Sequence, residues 1–427
     1  MRIPRLLTWV VAVVSLAVLL AGGWLLSRPR GPVVRQASVS PAEISPNADG
    51  ERDITTITYR LARPATLSIY FEDDDGERYY FRRDATRGKG EYSVLFGGIV
   101  DGFVLDGETF EGEVEARLLP DGDYQWVIEA QEPGQTPERQ SGTLRIREGD
   151  DVLPDMQEFS VFPTTFTPNQ DGFDDRVSIN IYLPKPADLE VYLLDEDGTR
   201  FFIPESQEGR KPGEAGMHTF DYEGGVDQGA LPPPDGRYEV IAIAEDAEGQ
   251  RTTRTSELVI ENGGVPLAEI VAQPVGDTVE FSGEAVLMGD TMWFTLTVEN
   301  YGDAPIRTTG PPPGTVYQQD ERASTLGYFD ESGAWRVGLD CDTCLSDYPW
   351  RWALGTPEEL TAIEVNGQSQ YYLMPGQRVV VTGGVVLNDI VEARNPQYFW
   401  AGLIHEDVGI ATINNRVDAH LIEIIEP

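Results

Sequence analysis

The sequence predicts an all-β chain, a series of β-sandwiches set behind one N-terminal apolar helix, and three observations carry that prediction. A long stretch of the chain repeats itself. Within each copy apolar and polar residues alternate with period two, the mark of a strand with one buried and one wet face. Ahead of both copies lies a single uncharged run long enough for a helix to cross a bilayer.

That run, Leu6 to Leu26, contains no charged residue, and at ~1.5 Å rise per residue it covers a hydrocarbon core of ~30 Å. Trp9 and Trp24 fall near its two ends, as interfacial aromatics do. A cleavable signal peptide has a shorter apolar region and a small-x-small cleavage site. Residues 1–30 therefore read as an uncleaved signal-anchor, a transmembrane helix that tethers the chain to the cell membrane and leaves its bulk extracytoplasmic. The flanking arginines, Arg2 and Arg5 before the run against Arg28, Arg30 and Arg35 after it, favour the opposite orientation. The modules downstream outweigh that count.

Sliding the chain against itself by 122 residues aligns Pro46–Tyr80 with Pro168–Phe202 without a gap, at fifteen identities in thirty-five positions. One fold is thus written twice. Each copy opens with Pro-Asn-x-Asp-Gly-x-x-Asp, at Pro46–Asp53 and Pro168–Asp175. A strand follows in each: Ile57, Tyr59 and Leu61 alternate with Thr58 and Arg60, and Val177, Ile179, Ile181 and Leu183 alternate with Ser178, Asn180 and Tyr182. Second strands (Leu67, Ile69, Phe71; Leu189, Val191, Leu193) run into Asp75-Gly76 and Asp197-Gly198, which supply the positive φ of a tight hairpin. Pro-Asp-Gly-x-Tyr recurs at Pro120–Tyr124 and Pro234–Tyr238 ahead of another apolar strand (Trp126, Ile128; Val240, Ala242). The copies close on Leu144–Ile146 and Leu258–Ile260.

Together these residues resemble the FlgD-type immunoglobulin-like module, and they are similar to the fibronectin-like modules that follow some secreted subtilisin-like proteases. The resemblance covers about residues 38–262 and implies immunoglobulin-like β-sandwiches in tandem. Within it, Pro-Asp-Gly-x-Tyr resembles the tyrosine corner, with Trp126 and Val240 standing where antibody domains carry a cysteine. Such modules serve as spacers, adhesion units and assembly parts, so the resemblance implies structure more than chemistry. Copy one departs from the pattern in its long segment Gly97–Leu118, where copy two has the shorter Tyr222–Leu231; the longer one is a candidate contact surface.

Polar, Gly/Pro-punctuated segments at Glu148–Pro154 and Glu261–Pro266 divide the chain. They give an anchor at 1–30, modules at 36–148 and 156–262, and a distal β-sandwich at 267–427. In the distal part Phe294, Leu296 and Val298 alternate with Thr295 and Thr297, and Thr297–Pro305 resembles the strand and turn of CARDB-like bacterial adhesion modules. Between its early strands and those expected at Val379–Val381, Tyr398–Ile404 and Val417–Ile424, the aromatic stretch Gly310–Gly355 shows no clear period. It is too long for an ordinary loop, so it is expected to be functional or partly structured.

The formal net charge is −40, from 72 Asp and Glu against 32 Lys and Arg, which excludes a nucleic-acid partner on electrostatic grounds. Asn47, Asp49 and Asp53, with Asn169, Asp171 and Asp175, are candidate Ca²⁺ ligands, because a glycine-turned loop of acidic side chains can converge oxygens on a hard cation. Ser45 and Thr167 occupy the first place of such a loop, and Asx-turns that launch the strand are the competing use of the same residues. Cys341 and Cys344, the only cysteines, are read as a local disulfide in an oxidising compartment. Trp335, Tyr348, Trp350 and Trp352 are candidate ligand-contacting aromatics for a sugar or a protein, against the alternative of a small core beneath the loop. His218, His405 and His420 lie far apart, no serine sits in a nucleophile elbow, and no glycine-rich strand-to-helix loop occurs. The expectation is a non-enzymatic structural or adhesion protein that meets an extracellular protein or polysaccharide, with a carbohydrate-binding accessory protein using the aromatic loop as the alternative.

Overall fold

Two strands of identical burial pattern set the architecture. Thr55–Leu61 and Val177–Leu183 each bury their first, third, fifth and seventh side chains and leave the others partly or fully wet, as period-two sequence demands. The computed structural model describes residues 9–10, 13–20, 31–206 and 211–426. Of the expected anchor, Trp9–Val10 and Val13–Leu20 are helical with exposed side chains; the rest of residues 1–30 lies outside the described residues. Among the described residues no helix is long and apolar enough to cross a membrane.

The described residues are nearly all β, with 49% strand and 6% helix. In the first module a three-stranded sheet (34–40, 55–61, 90–96) faces a five-stranded one ordered 43–44, 138–146, 122–131, 65–72, 78–87. Ile57, Leu61, Leu67, Phe71, Trp126 and Ile146 from both sheets share one core. The second module repeats this: 157–162, 177–183 and 216–222 form the small sheet, and 200–202, 188–194, 236–245 and 251–260 lie in order in the other. Even irregularities recur at the same offset. A register shift between Arg35 and Ser38 returns between Gln157 and Ser160, and positive φ at Gln36 and Ala48 returns at Glu158 and Gln170.

The long segment Gly97–Leu118 is itself structured, as Ile99–Asp101 pairs with Ala116–Leu118. Its Arg117 is buried, forms an ion pair with Glu108, and lies over the Phe103 ring.

The distal domain is larger. One sheet orders 268–270, 291–300, 378–386 and 316–318; a second orders 285–287, 417–425, 397–405, 335–341 and 350–353; a third joins 306–308, 368–373 and 361–365. A single core draws on Phe294, Leu296, Val337, Leu339, Trp352, Val381, Phe399 and Ile422. The stretch Gly310–Gly355, expected to be functional or partly structured, supplies the strand Trp335–Cys341, which is flanked on both sides by 397–405 and 350–353.

The chain divides into two compact units, one of residues 1–154 with 245–252, the other of 155–244 with 253–427. The second module and the distal domain fall in one unit, each with a core of its own. In the first unit the supposed linker before Pro154 is engaged: the buried Gln250 amide donates to the carbonyls of Asp150 and Val152 and accepts from Leu118 N–H.

Candidate functional site

The Pro-Asn-x-Asp-Gly-x-x-Asp loops are hydrogen-bond circuits. In copy one, Asn47 Oδ1 accepts Asp49 N–H at 3.1 Å and Asp49 Oδ1 accepts Glu51 N–H at 2.7 Å. Asp53 spans the turn, its two oxygens taking Asn47 N–H at 3.3 Å and Gly50 N–H at 2.8 Å. Copy two repeats the pattern: Asn169 Oδ1 with Asp171 N–H (3.0 Å), Asp171 Oδ1 with Phe173 N–H (2.9 Å), and Asp175 with Asp171 and Gly172 N–H (3.1 and 2.7 Å). The residues named as cation ligands are therefore brought together around their own backbone, the Asx-turn use of Asn and Asp. Replacing Asp53 by Ala leaves two amides without acceptors. It is expected to lower the stability of the first unit by about 1–3 kcal/mol, equally with and without added Ca²⁺, in thermal melts; a loss seen only with Ca²⁺ would instead make the loop a cation site.

The Pro-Asp-Gly-x-Tyr segments behave alike in both copies. Tyr124 donates to Pro120 O at 2.8 Å and Tyr238 to Pro234 O at 2.6 Å, the back-bond of a tyrosine corner. Asp121 accepts Glu148 and Gly149 N–H, and Asp235 accepts Asn262 and Gly263 N–H, so each aspartate clamps the chain where it leaves its module.

The two acidic loops differ in their surroundings. Asp49 is exposed, whereas Asn169 is 3% and Asp171 6% exposed because the distal domain packs over them. Tyr372 O–H donates to Asp171 Oδ2 at 2.8 Å. The buried Arg307 lies over the Phe173 ring and donates from Nε to Asp171 O at 2.7 Å, from Nη2 to Ser332 O at 2.5 Å and from Nη1 to Glu331 Oε2 at 2.9 Å. His405 Nε2 lies 2.8 Å from Gln170 O, and the His405 ring stacks on Trp335 at 4.4 Å. Two glycines allow the approach: a Cβ on Gly172 would sit 2.2 Å from Ser332 O, and one on Gly333 would sit 2.2 Å from the Asp171 carbonyl carbon, while the equivalent Gly50 faces open space.

Burial sets the electrostatics of this joint. It raises the Asp171 carboxyl, and together with the Asp171 charge it pushes Asp175 up to about 6. Burial holds His405 down at about 4. A folded His405 that resists protonation takes stability away as pH falls from 6.5 towards 4, whereas Asp175, which binds its proton more tightly folded than unfolded, returns stability between about 6 and 4. The two effects oppose. A His405→Gln chain lacks the His405 effect and keeps those of the carboxylates, so its stability relative to the native chain should climb by on the order of 3 kcal/mol from pH 6.5 to 4, as read from urea midpoints across that range.

Trp335, Tyr348, Trp350 and Trp352 are not displayed as a ligand surface; all four are buried. Trp352 sits edge-on to Phe294 and Tyr317 and donates from Nε1 to Thr315 O at 3.0 Å. Gly383 leaves the room for it, since a Cβ there would fall 2.4 Å from the indole. Tyr348 packs with Trp400 and Ile404 and donates to Asn415 Oδ1 at 2.7 Å. The physical reason is that Trp335–Cys341 and Trp350–Ala353 are sheet strands whose large rings fill the core. Cys341 and Cys344 form the expected disulfide, with Cα atoms 5.1 Å apart.

Arg307, Tyr372, Glu331 and His405 had no local motif to mark them, so the sequence reading missed the joint. It noted His420 only as one of three histidines far apart in the chain.

No family model matches the chain, and no curated protein matches it. Among solved structures it is similar to one described as a Ca²⁺-stabilized adhesin that helps an Antarctic bacterium reach out and bind ice (13% identity, 92% of this chain and 74% of that one, TM-score 0.21). It is also similar to a tetra-tandem repeat in the extending region of a large adhesion protein (12%, 86% and 81%, TM-score 0.18). A third is SGBP-B of a Bacteroides ovatus mixed-linkage glucan utilization locus, in complex with a heptasaccharide (10%, 94% and 70%, TM-score 0.15). At those TM-scores the likenesses carry no functional argument.

Proposed function

We propose that the chain is a membrane-anchored, extracytoplasmic structural protein of the adhesion kind, whose immunoglobulin-like modules of FlgD type carry the distal domain outward to contact an extracellular protein or polysaccharide. The observation that carries this reading is the joint at Asp171: a loop that merely starts a strand in copy one serves in copy two as the fixed mount of the terminal domain. Stiff mounting suits a projecting part, because a free linker would let the distal domain fold back. The duplicated tyrosine back-bonds support the immunoglobulin-like reading. The Cys341–Cys344 disulfide supports an oxidising location. A surface of net charge −40 supports solubility outside the cell, and the anchor rests on Leu6–Leu26.

Protease treatment of intact cells tests the reading. The expected result is removal of everything beyond residue 30 while a cytoplasmic marker survives. Full protection of the chain in intact cells, lost only on lysis, would contradict it. The aromatic-loop glycan reading is not proposed, since its named side chains lie in the core.

A further inference from the structure

Asp418 and His420 stand two residues apart on the strand Val417–Ile425, so their side chains share a face. Asp277 reaches them from the connection between the strands 268–270 and 280–281. His420 Nε2 lies 3.2 Å from Asp418 Oδ1 and 4.0 Å from Asp277 Oδ2, and one ligand atom from each of the three residues falls within 4.8 Å of the others. A second observation concerns the nitrogen alone. His420 Nε2 is buried as an atom and has no hydrogen-bond partner, although a carboxylate oxygen is within reach, so its approach to that oxygen is misaligned for a hydrogen bond. A buried ring nitrogen turned towards two carboxylates without bonding either is an arrangement that a cation between them would complete.

We infer that Asp277, Asp418 and His420 bind one divalent transition-metal ion of the zinc class. The donor set decides the class: an imidazole nitrogen with two carboxylate oxygens suits Zn²⁺ and its neighbours, whereas Ca²⁺ and Mg²⁺ take oxygen alone. Charge agrees, since two carboxylates and a neutral imidazole cancel a dication. Two of the ligands are already held. Asp418, at φ +49°, has its Oδ2 fixed by Val279 N–H at 2.9 Å, and the His420 ring lies 5.2 Å from that of Phe281. Asp277 is the open side, with its side chain 64% exposed. Three protein ligands leave a fourth position for water or for an oxygen or nitrogen donor from outside.

The test uses the untagged full-length chain with Zn²⁺ alone, and with Co²⁺ alone as a spectroscopic stand-in. The expected result is one equivalent of Zn²⁺ per chain by calorimetry, a rise in Tm, and visible Co²⁺ absorption that Zn²⁺ displaces. Asp277→Asn, at an exposed position that spares the fold, and His420→Gln should each weaken that equivalent at least tenfold. The proposal is overturned if the native chain binds no stoichiometric Zn²⁺. It is equally overturned if Asp277→Asn and His420→Gln retain native binding, which would place the ion among other acidic groups.

Discussion

Arg307→Ala is expected to cost the second unit about 3–5 kcal/mol, the range for removing one partner from a buried charge network. The guanidinium is 2% exposed and serves three acceptors at once, the carbonyls of Asp171 and Ser332 and the Glu331 carboxylate. Without it the buried Asp171 carbonyl loses its donor, and the Asp171 carboxylate, already raised by burial, loses a neighbouring positive charge. Lysine should restore only part of the loss, because a single ammonium cannot reproduce the forked geometry. Urea unfolding of the full chain reads the effect. A change below about 1 kcal/mol, as for surface positions, would mean that the distal domain does not depend on this mount.

Trp352→Ala should have a comparable effect, about 3–5 kcal/mol, the usual cost of deleting a fully buried aromatic. The ring is 0% exposed between Phe294 and Tyr317, and Gly383 lies against it with no side chain to fill the space left. The loss should appear in thermal melts of the chain with no ligand present. Had Trp352 been a sugar-stacking residue, the same substitution would leave the melt unchanged and abolish glycan binding instead.

Much of the fold is legible because its strands are wet on one side. Thr55–Leu61 and Val177–Leu183 show their alternation in sequence as in burial, and the Asp-Gly and Pro-Asp-Gly-x-Tyr segments mark turns through backbone needs that act locally. Trp335–Cys341 escaped for the opposite reason: all seven of its residues are buried, so no period survives to be read. Of the two uses left open for its tryptophans, ligand contact or a core beneath the segment, their burial matches the second.

The joint was illegible for a different cause. Asn47–Asp53 and Asn169–Asp175 carry the same motif, yet only the second lies under the distal domain, where it meets Arg307, Tyr372 and His405 from far along the chain. Local sequence determines the circuit of Asx-turns, and long-range packing determines which circuit becomes a mount. The Asp277, Asp418 and His420 cluster is non-local in the same way, except that the spacing of Asp418 and His420 on one predicted strand placed two of its members on one face.

Amide hydrogen exchange on the full-length chain compares the two loops directly, because their internal hydrogen bonds are equivalent and only their cover differs. The account predicts that the amides of Gly172 and Phe173 exchange orders of magnitude more slowly than those of Gly50 and Glu51. Equal exchange at the two pairs would contradict it.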